Sequence, residues 1–197
     1  MVTSVLGRGA PIVAVCAALV GCAQPNNGPA FEYREPARQQ DLRNTRQISA
    51  GYDAAWTGLI DHVARTSFTI DAFEKESGLL TLRFGETDIA RFVDCGTWLK
   101  NGRSLPYAGR TDQGLKLNGR MNIRVQERAA GFTDIRIDSL YVLRNDSGNV
   151  WQFTTNDRSV IDVEKPAQGT ISRRTCQSSH EAERLILTGI EAVAETR

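Results

Sequence analysis

Residues 68–84 read FTIDAFEKESGLLTLRF, and this stretch decides the fold. Apolar and polar residues alternate over 68–72, which is the pattern of a strand with one buried face. A polar turn over 74–78 follows, and residues 79–84 are again rich in types that strands favour. The stretch therefore predicts a β-hairpin, and with it an antiparallel sheet.

A helix is predicted on each side of the strand-rich region. Before the hairpin, apolar residues recur at helical spacing over 52–66. The second helix follows Ser178, which with Glu181 forms an S-x-x-E capping box. Gly189 lies inside this helix at a cost of about 1 kcal/mol relative to Ala. We therefore expect the sheet backbone to approach the helix closely at this glycine.

Further strands complete the predicted fold. They are expected over residues 90–95, 119–126, 133–143, 150–155 and 159–163. Consecutive strands with only two helices predict an α+β fold, with one antiparallel sheet packed on two helices and a long C-terminal helix. Its core is expected to contain Trp56, Phe68, Phe73, Phe84, Trp151 and Phe153.

The first residues predict a lipoprotein signal peptide over 1–21. Arg8 supplies a positive charge, and a short apolar segment follows over 10–20. The segment ends in Leu19-Val20-Gly21-Cys22, which resembles the bacterial lipobox. That resemblance implies that the thiol and amine of Cys22 carry fatty acyl chains such as palmitate, and two or three chains form a stable membrane anchor. The alternatives are a plain signal peptide with an incidental cysteine and a failed membrane helix.

Lipidation would place the chain in a bacterial envelope. In Gram-negative lipoproteins an Asp after the cysteine commonly retains the protein at the inner membrane, and here Ala23 follows instead. The pattern thus favours an outer-membrane anchor with the domain in the periplasm. Residues 22–47 are rich in Pro, Asn, Gln and charges, which predicts a flexible tether behind the lipid. Residues 48–197 are predicted to form a single α+β domain.

Two cysteines remain for the folded domain, Cys95 and Cys176, because Cys16 leaves with the signal peptide and Cys22 is acylated. The periplasm is oxidising, so we expect a disulfide that ties the C-terminal helix to the sheet. One alternative is a metal site, for which the pair lacks further ligands. The other is a redox pair, which usually has C-x-x-C spacing.

The sequence offers few candidates for nucleophilic or acid–base catalysis. His62 lies on the polar side of the first helix and His180 in the first turn of the last. Neither belongs to an H-E-x-x-H motif, and the sequence contains no G-x-S-x-G motif. We expect both histidines to be exposed. The alternative is that they meet Ser178 in space, although that serine is already explained as a helix cap.

The strand carboxylates resemble a solvated sheet face. Asp134, Asp138 and Asp162 alternate with apolar residues, and Asp157 lies in a turn. A catalytic carboxylate pair is the alternative, but nothing singles out two of them. The sequence therefore predicts no catalytic residue, no metal site and no cofactor.

One stretch, residues 97–124, is strongly basic and contains glycines and aromatic residues. It is predicted to be a loop, and one hypothesis is that this loop contacts lipid phosphates or an acidic protein surface. The residues proposed for that contact are Lys100, Arg103, Tyr107, Arg110 and Lys116. The alternative is an ordinary solvated insertion between strands.

Four stretches resemble a family of small bacterial lipoproteins whose domain is similar to the C-terminal parts of BamC, an outer-membrane assembly lipoprotein. They are ISAGYDAAW over 48–56, SGLL over 77–80, FVDCG over 92–96, and Thr175-Cys176. The resemblance covers residues 46–195. It implies a helix-grip-like domain, in which a sheet wraps a long C-terminal helix, and an accessory role at an outer-membrane complex.

The near-equal numbers of basic and acidic residues limit the classes of partner that the sequence favours. The chain has 24 Lys and Arg against 23 Asp and Glu, without the basic excess that is typical of nucleic-acid binders. The sequence therefore predicts a non-catalytic interaction module that contacts the membrane through its lipid and binds an envelope protein. The alternative is a domain that binds a lipid or another amphiphile in an apolar cavity between sheet and helix. A hydrolase is a third class.

Overall fold

The computed structural model of the protein describes residues 31–85, 88–100, 103–109, 114–165 and 170–195. The helices are α1 (Tyr52–Val63), α2 (Ile89–Phe92) and α3 (Glu181–Glu195), with a 3₁₀ turn at Tyr107–Gly109. The strands are β1 (Phe31–Arg34), β2 (Thr45–Ile48), β3 (Thr69–Glu74), β4 (Leu79–Phe84), β5 (Val93–Asp94), β6 (Thr97–Lys100), β7 (Arg103–Pro106), β8 (Lys116–Ala129), β9 (Phe132–Arg144), β10 (Val150–Thr154), β11 (Arg158–Lys165) and β12 (Thr170–Ser178). The predicted signal peptide, Cys22 and the first part of the predicted tether lie outside the described residues.

These strands form three antiparallel sheets. The largest has the order β10-β9-β8-β4-β3, and β2 also pairs with β9. Two smaller sheets have the orders β1-β6-β7 and β11-β12-β5. Strand β3 is thus the last strand on its side of the largest sheet.

The predicted fold class is wrong. The described part is mostly β, with 51% of residues in strands and 21% in helices, and not one sheet packed on two helices. Helix α3 has 15 residues, which is an ordinary length for a globular helix rather than the long helix expected. The error has a physical cause: β1, β6, β7 and β12 lie in polar or basic stretches, where pairing with neighbouring strands outweighs the weak local pattern.

The two longest strands carry much of the core. Alternate residues of β8 and β9 are buried, while the residues between them are mostly exposed, because successive side chains of a strand point to opposite faces. The large aliphatic and sulfur-containing members of this set are Leu117, Met121, Ile123, Val125, Ile135, Ile137 and Leu143. Helix α1 contacts both strands and packs against α3.

Among the described helices, none has the length and apolar character needed to cross a bilayer.

Residues 31–47 do not behave as the mobile spacer that was predicted. Strand β1 pairs with β6, and β2 pairs with β9. Between them the chain is held by side chains from other elements: Arg158 donates to the Pro36 carbonyl at 2.9 Å, and Gln177 donates to the Ala37 carbonyl at 2.7 Å. These long-range bonds are invisible in the local sequence, which explains the mistaken expectation.

Local elements near the hairpin were predicted more accurately. The α1 helix and the β3–β4 hairpin lie where the periodicity placed them. The strand expected over 90–95 is mostly wrong, because α2 occupies its first part and only the two residues of β5 are extended. The Asp88 side chain accepts the Arg91 N–H at 3.2 Å and so caps this short helix.

The start and the middle of α3 both differ from prediction. The capping box is absent: Ser178 Oγ accepts the His180 N–H at 2.8 Å, and the Glu181 carboxylate accepts from Arg91 at 3.3 Å. A Cβ on Gly189 would lie 1.9 Å from the Cε1 atom of His62, so this glycine does allow a close approach. The approaching group is the His62 ring on α1, not the sheet backbone.

Candidate functional site

Both histidines lie against backbone carbonyls, so the prediction that they are exposed is wrong. His62 is half-buried between α1 and α3, and its Nε2–H donates to the Leu185 carbonyl at 2.8 Å. His180 is 4% exposed, and its Nε2–H donates to the Thr155 carbonyl at 2.9 Å. The Ser178 hydroxyl meets the backbone N–H of His180 rather than its ring. The two histidines and this serine therefore form no catalytic dyad or triad.

Ser178 belongs instead to a buried chain of hydrogen bonds. Its hydroxyl donates to the Tyr141 hydroxyl at 2.9 Å, and Tyr141 donates to the Glu183 carboxylate at 2.8 Å. Burial, reinforced by the negative charge of Glu183, raises the pKa of Tyr141 far above its ordinary value. The phenol therefore stays a neutral donor. These hydrogen bonds hold α3 against β9 and β12. Because Glu183 is fully buried, a substrate cannot reach its carboxylate.

The strand carboxylates are engaged in exposed ion pairs. Asp134 meets Arg128 at 3.1 Å, and Asp138 meets Arg136 at 2.9 Å. Asp162 lies 3.8 Å from an arginine of β12, and Asp157 accepts from Thr154. Among the described residues, no three His, Cys, Asp or Glu side chains are grouped so that they could hold a metal ion. The surroundings of these carboxylates therefore resemble solvated sheet surfaces.

The predicted basic interaction loop is not one continuous loop. Its described residues belong to the β6–β7 hairpin, the 3₁₀ turn and the start of β8. Tyr107 is only 3% exposed, so it is not available to a partner. Arg103 and Lys116 are exposed, and Lys116 lies 3.9 Å from Asp146. The Lys100 side chain and all of Arg110 lie outside the described residues.

Tyr107 instead belongs to what we call the Arg174 cluster, which consists of Tyr33, Trp98, Tyr107 and Arg174. The Arg174 guanidinium lies over all three rings, at 4.2 Å from the Tyr33 centroid, 5.3 Å from Trp98 and 5.7 Å from Tyr107. Arg174 is 5% exposed. The cluster joins β1, β6 and β12. The sequence contains no local signal for the cluster, because its residues come from three distant parts of the chain: Tyr33, the pair Trp98 and Tyr107, and Arg174.

The predicted disulfide is confirmed and lies beside this cluster. Cys95 and Cys176 are joined at 2.04 Å and are both buried. The Tyr33 hydroxyl donates to the Cys95 carbonyl at 3.0 Å and accepts the Thr175 N–H at 3.1 Å. The covalent bond and these hydrogen bonds connect the first described strand to the strand that precedes α3.

A second surface is apolar but open to solvent. Helix α1 and strand β3 border a groove of about 220 Å³, which we call the β3–α1 groove. It is lined by Trp56, Thr57, Ile60, Asp61, Ile70 and Phe73. Phe73 is 66% exposed and Ile70 is 37% exposed, so the prediction that Phe73 lies in the core is wrong. Exposed apolar side chains that share one groove are typical of an interaction site.

A bulge explains why Ile70 and Phe73 share this groove. In a regular strand, residues three apart point to opposite faces. The pairing of β3 with β4 shifts between Ile70 and Ala72, which inserts Asp71 as an extra residue. As a result Ile70 lies opposite Leu82 and Phe73 lies opposite Leu80, and both of those β4 residues are buried. An apolar pair three residues apart in a predicted strand was the available, but weak, signal.

The margin of the groove is acidic. Two nearby carboxylates are neutralised: Asp53 meets Lys75 at 2.7 Å, and Asp71 meets Arg83 at 3.0 Å. The remaining carboxylates form no close ion pair within the described part of the chain, although the charge of Lys75 also acts on Glu76. They are Asp61 on α1, Glu74 at the end of β3 and Glu76 in the turn that follows. The groove therefore combines apolar walls with an excess of negative charge nearby.

Comparison with known proteins adds no family or relative to this picture. No family model matches the chain, and no curated protein matches it. The resemblance to BamC-like lipoproteins therefore stays a prediction.

Proposed function

We propose that this protein is a lipid-anchored, non-catalytic interaction module of the bacterial envelope. In this proposal Cys22 carries the acyl chains at the outer membrane, and the periplasmic domain binds an envelope protein. The observation that carries the proposal is the β3–α1 groove, where Phe73 and Ile70 are exposed beside Trp56 and Ile60. Solvent exposure of two large apolar side chains at one place is costly unless a partner covers them.

The state of the titratable groups supports a binding role over a catalytic one. Both histidines donate hydrogen bonds to backbone carbonyls, and the Glu183 carboxylate is fully buried. A general acid or base must reach the atom that it protonates or deprotonates. None of these three groups faces the groove.

The size of the groove favours protein side chains over an amphiphile. Small-molecule sites usually have volumes of roughly 300–1,000 Å³. The groove measures about 220 Å³ and is open along one side. The space between the largest sheet and the helices is occupied by large buried side chains, among them Trp56, Tyr141 and Trp151. These observations give no support to the alternative of an enclosed lipid cavity.

Site-specific photo-crosslinking in intact bacteria tests the binding role. A photoreactive amino acid replaces Phe73 in one strain and Val160 in another. Val160 is a matched control because it is 52% exposed and lies on β11, in a different sheet. We expect a discrete protein adduct from position 73 that is absent from position 160 and weakened by Ile70→Ser. Identical adducts from both positions, or none from position 73, would refute the proposed surface.

A separate experiment tests the anchor. We expect labelled palmitate to enter the wild-type protein and the protein to fractionate with membranes. The Cys22→Ser variant should take up no label and appear in the soluble periplasmic fraction. Unchanged fractionation of that variant would contradict the lipid anchor without bearing on the groove.

A further inference from the structure

The outer side of β3 is an unpaired sheet edge. Within the described residues β3 pairs only with β4, and all six of its residues are exposed. An edge strand presents backbone N–H and C=O groups that an extended segment can pair with. Its sequence, TIDAFE, contains no Pro or Lys, the residues that commonly protect such edges. The bulge at Asp71 interrupts the regular spacing at one position, and the edge on either side of it is available for strand addition.

The β3–α1 groove lies beside this edge and supplies a place for side chains. In strand addition, backbone hydrogen bonds provide affinity, and pockets for alternate side chains provide specificity. A segment added along β3 would point every second side chain toward the face that carries Ile70 and Phe73. Apolar side chains fit that face, because Trp56 and Ile60 form the opposite wall.

Charge selects among the possible occupants. A second copy of this surface would carry the same acids, Asp61, Glu74 and Glu76, and like charge disfavours its approach. Anionic lipid headgroups would be repelled for the same reason. A protein segment with Lys or Arg next to its apolar residues would be attracted instead.

We infer that the groove binds an extended segment of a partner protein, in which apolar residues alternate with Lys or Arg, and that this segment is added as a strand to the outer edge of β3. The inference rests on the proposed function and specifies the kind of partner. It requires no change in the described fold, because the edge and groove are already exposed.

Two synthetic peptides test it. One alternates Val with Lys, and the other alternates Val with Glu. Fluorescence anisotropy with the purified mature protein should show about tenfold tighter binding of the Val/Lys peptide at low salt, a difference that added salt reduces. Phe73→Ser and Ile70→Ser should each weaken that binding, whereas Val160→Ser should leave it unchanged. The paired change Asp61→Lys and Glu76→Lys should reverse the preference between the two peptides.

Amide hydrogen exchange distinguishes strand addition from other docking modes. We expect exchange over residues 69–74 to slow when the Val/Lys peptide is added, because amides at the outer edge gain hydrogen-bond acceptors. Equal affinity for both peptides, no binding of the Val/Lys peptide, or unchanged exchange in β3 would overturn the inference. If the crosslink from position 73 persisted in that case, the interaction module would stand and only its proposed partner chemistry would fall.

Discussion

The Arg174 cluster and the β3–α1 groove are both aromatic surfaces at the margin of a sheet, but only the first is covered. In the cluster, β1 supplies Tyr33, and Arg174 occupies the space between three rings. In the groove, Phe73 and Ile70 remain exposed beside Trp56. The difference separates an aromatic surface that stabilises the fold from one that is available to a partner. Substitutions in the two regions should therefore have opposite consequences for stability and for binding.

The largest effect is expected from the covalent bond beside the cluster. Cys95→Ala with Cys176→Ala should lower the free energy of unfolding by about 4–5 kcal/mol, because the bond closes a loop across a separation of 81 residues. Urea titration of the mature protein measures this change. A reductant should destabilise the Phe73→Ser variant as much as the wild type, since the groove is independent of the bond. A loss below about 1 kcal/mol in the double variant would contradict the expectation.

Within the cluster, the Arg174 guanidinium should have the largest effect. Arg174→Ala should cost about 3 kcal/mol, because it removes the cation from three rings and leaves a void among them. Arg173→Ala is the matched control: that side chain is exposed and its ion pair spans 3.8 Å, so the cost should be below about 0.5 kcal/mol. Thermal unfolding followed by circular dichroism compares the two. Similar melting temperatures for both variants would show that the cluster does not stabilise the fold.

A smaller effect should come from the Tyr33 hydroxyl and should depend on pH. Burial raises the pKa of this phenol in the folded protein. The stability that its neutral form provides is therefore fully present below about pH 10, the ordinary pKa of tyrosine, and is lost as the pH rises further, because only the unfolded chain ionises there. Tyr33→Phe should cost about 1 kcal/mol at neutral pH, through its lost hydrogen bonds.

The same variant should lose less stability than the wild type between about pH 9 and pH 11. Unfolding midpoints at the two pH values provide the measurement. Tyr141 remains buried in both proteins, so its contribution cancels in the comparison. If the stability of both proteins depended on pH in the same way, ionisation of Tyr33 would not contribute to the loss of stability at alkaline pH.

The smallest effect on stability is expected in the groove. Phe73→Ala should change the free energy of unfolding by less than about 0.5 kcal/mol, since the ring is 66% exposed. Phe68→Ala, just before the same strand, should cost about 3–5 kcal/mol because that ring is 7% exposed and packs on Phe84 and Phe92. Chemical denaturation of the two variants tests the contrast. A large loss of unfolding free energy in Phe73→Ala would show that the Phe73 ring is part of the core and not an exposed wall of the groove.

Features with a strong local pattern could be predicted from the sequence. The α1 helix, the β3–β4 hairpin and the strands β8 and β9 each have a regular spacing of apolar residues, because one side of each contacts the core. The disulfide followed from counting cysteines and from the expected compartment. In these cases a short segment carries the information that determines its own structure.

The other features depend on contacts between distant segments. Strand β12 reads as polar, and it forms because β11 and β5 pair with it on either side. The bulge at Asp71 brings Phe73 onto the face that carries Ile70, and an apolar pair three residues apart is only a weak local signal of it. The Arg174 cluster gathers residues separated by up to 141 positions, from Tyr33 to Arg174. These features decide which aromatic surface is closed and which is open.

Strand β1 determines where mechanical force would enter the domain. If the chain is tethered at Cys22, any pull from the membrane reaches the described fold through Phe31 and is passed along β1 to β6. There it meets the Tyr33 hydrogen bonds and the covalent bond between Cys95 and Cys176. The β3 edge belongs to a different sheet and lies off this load path. Tension on such an anchor would thus act first on the sheet of β1 and β6 and on the disulfide beside it, and not on the sheet that contains β3.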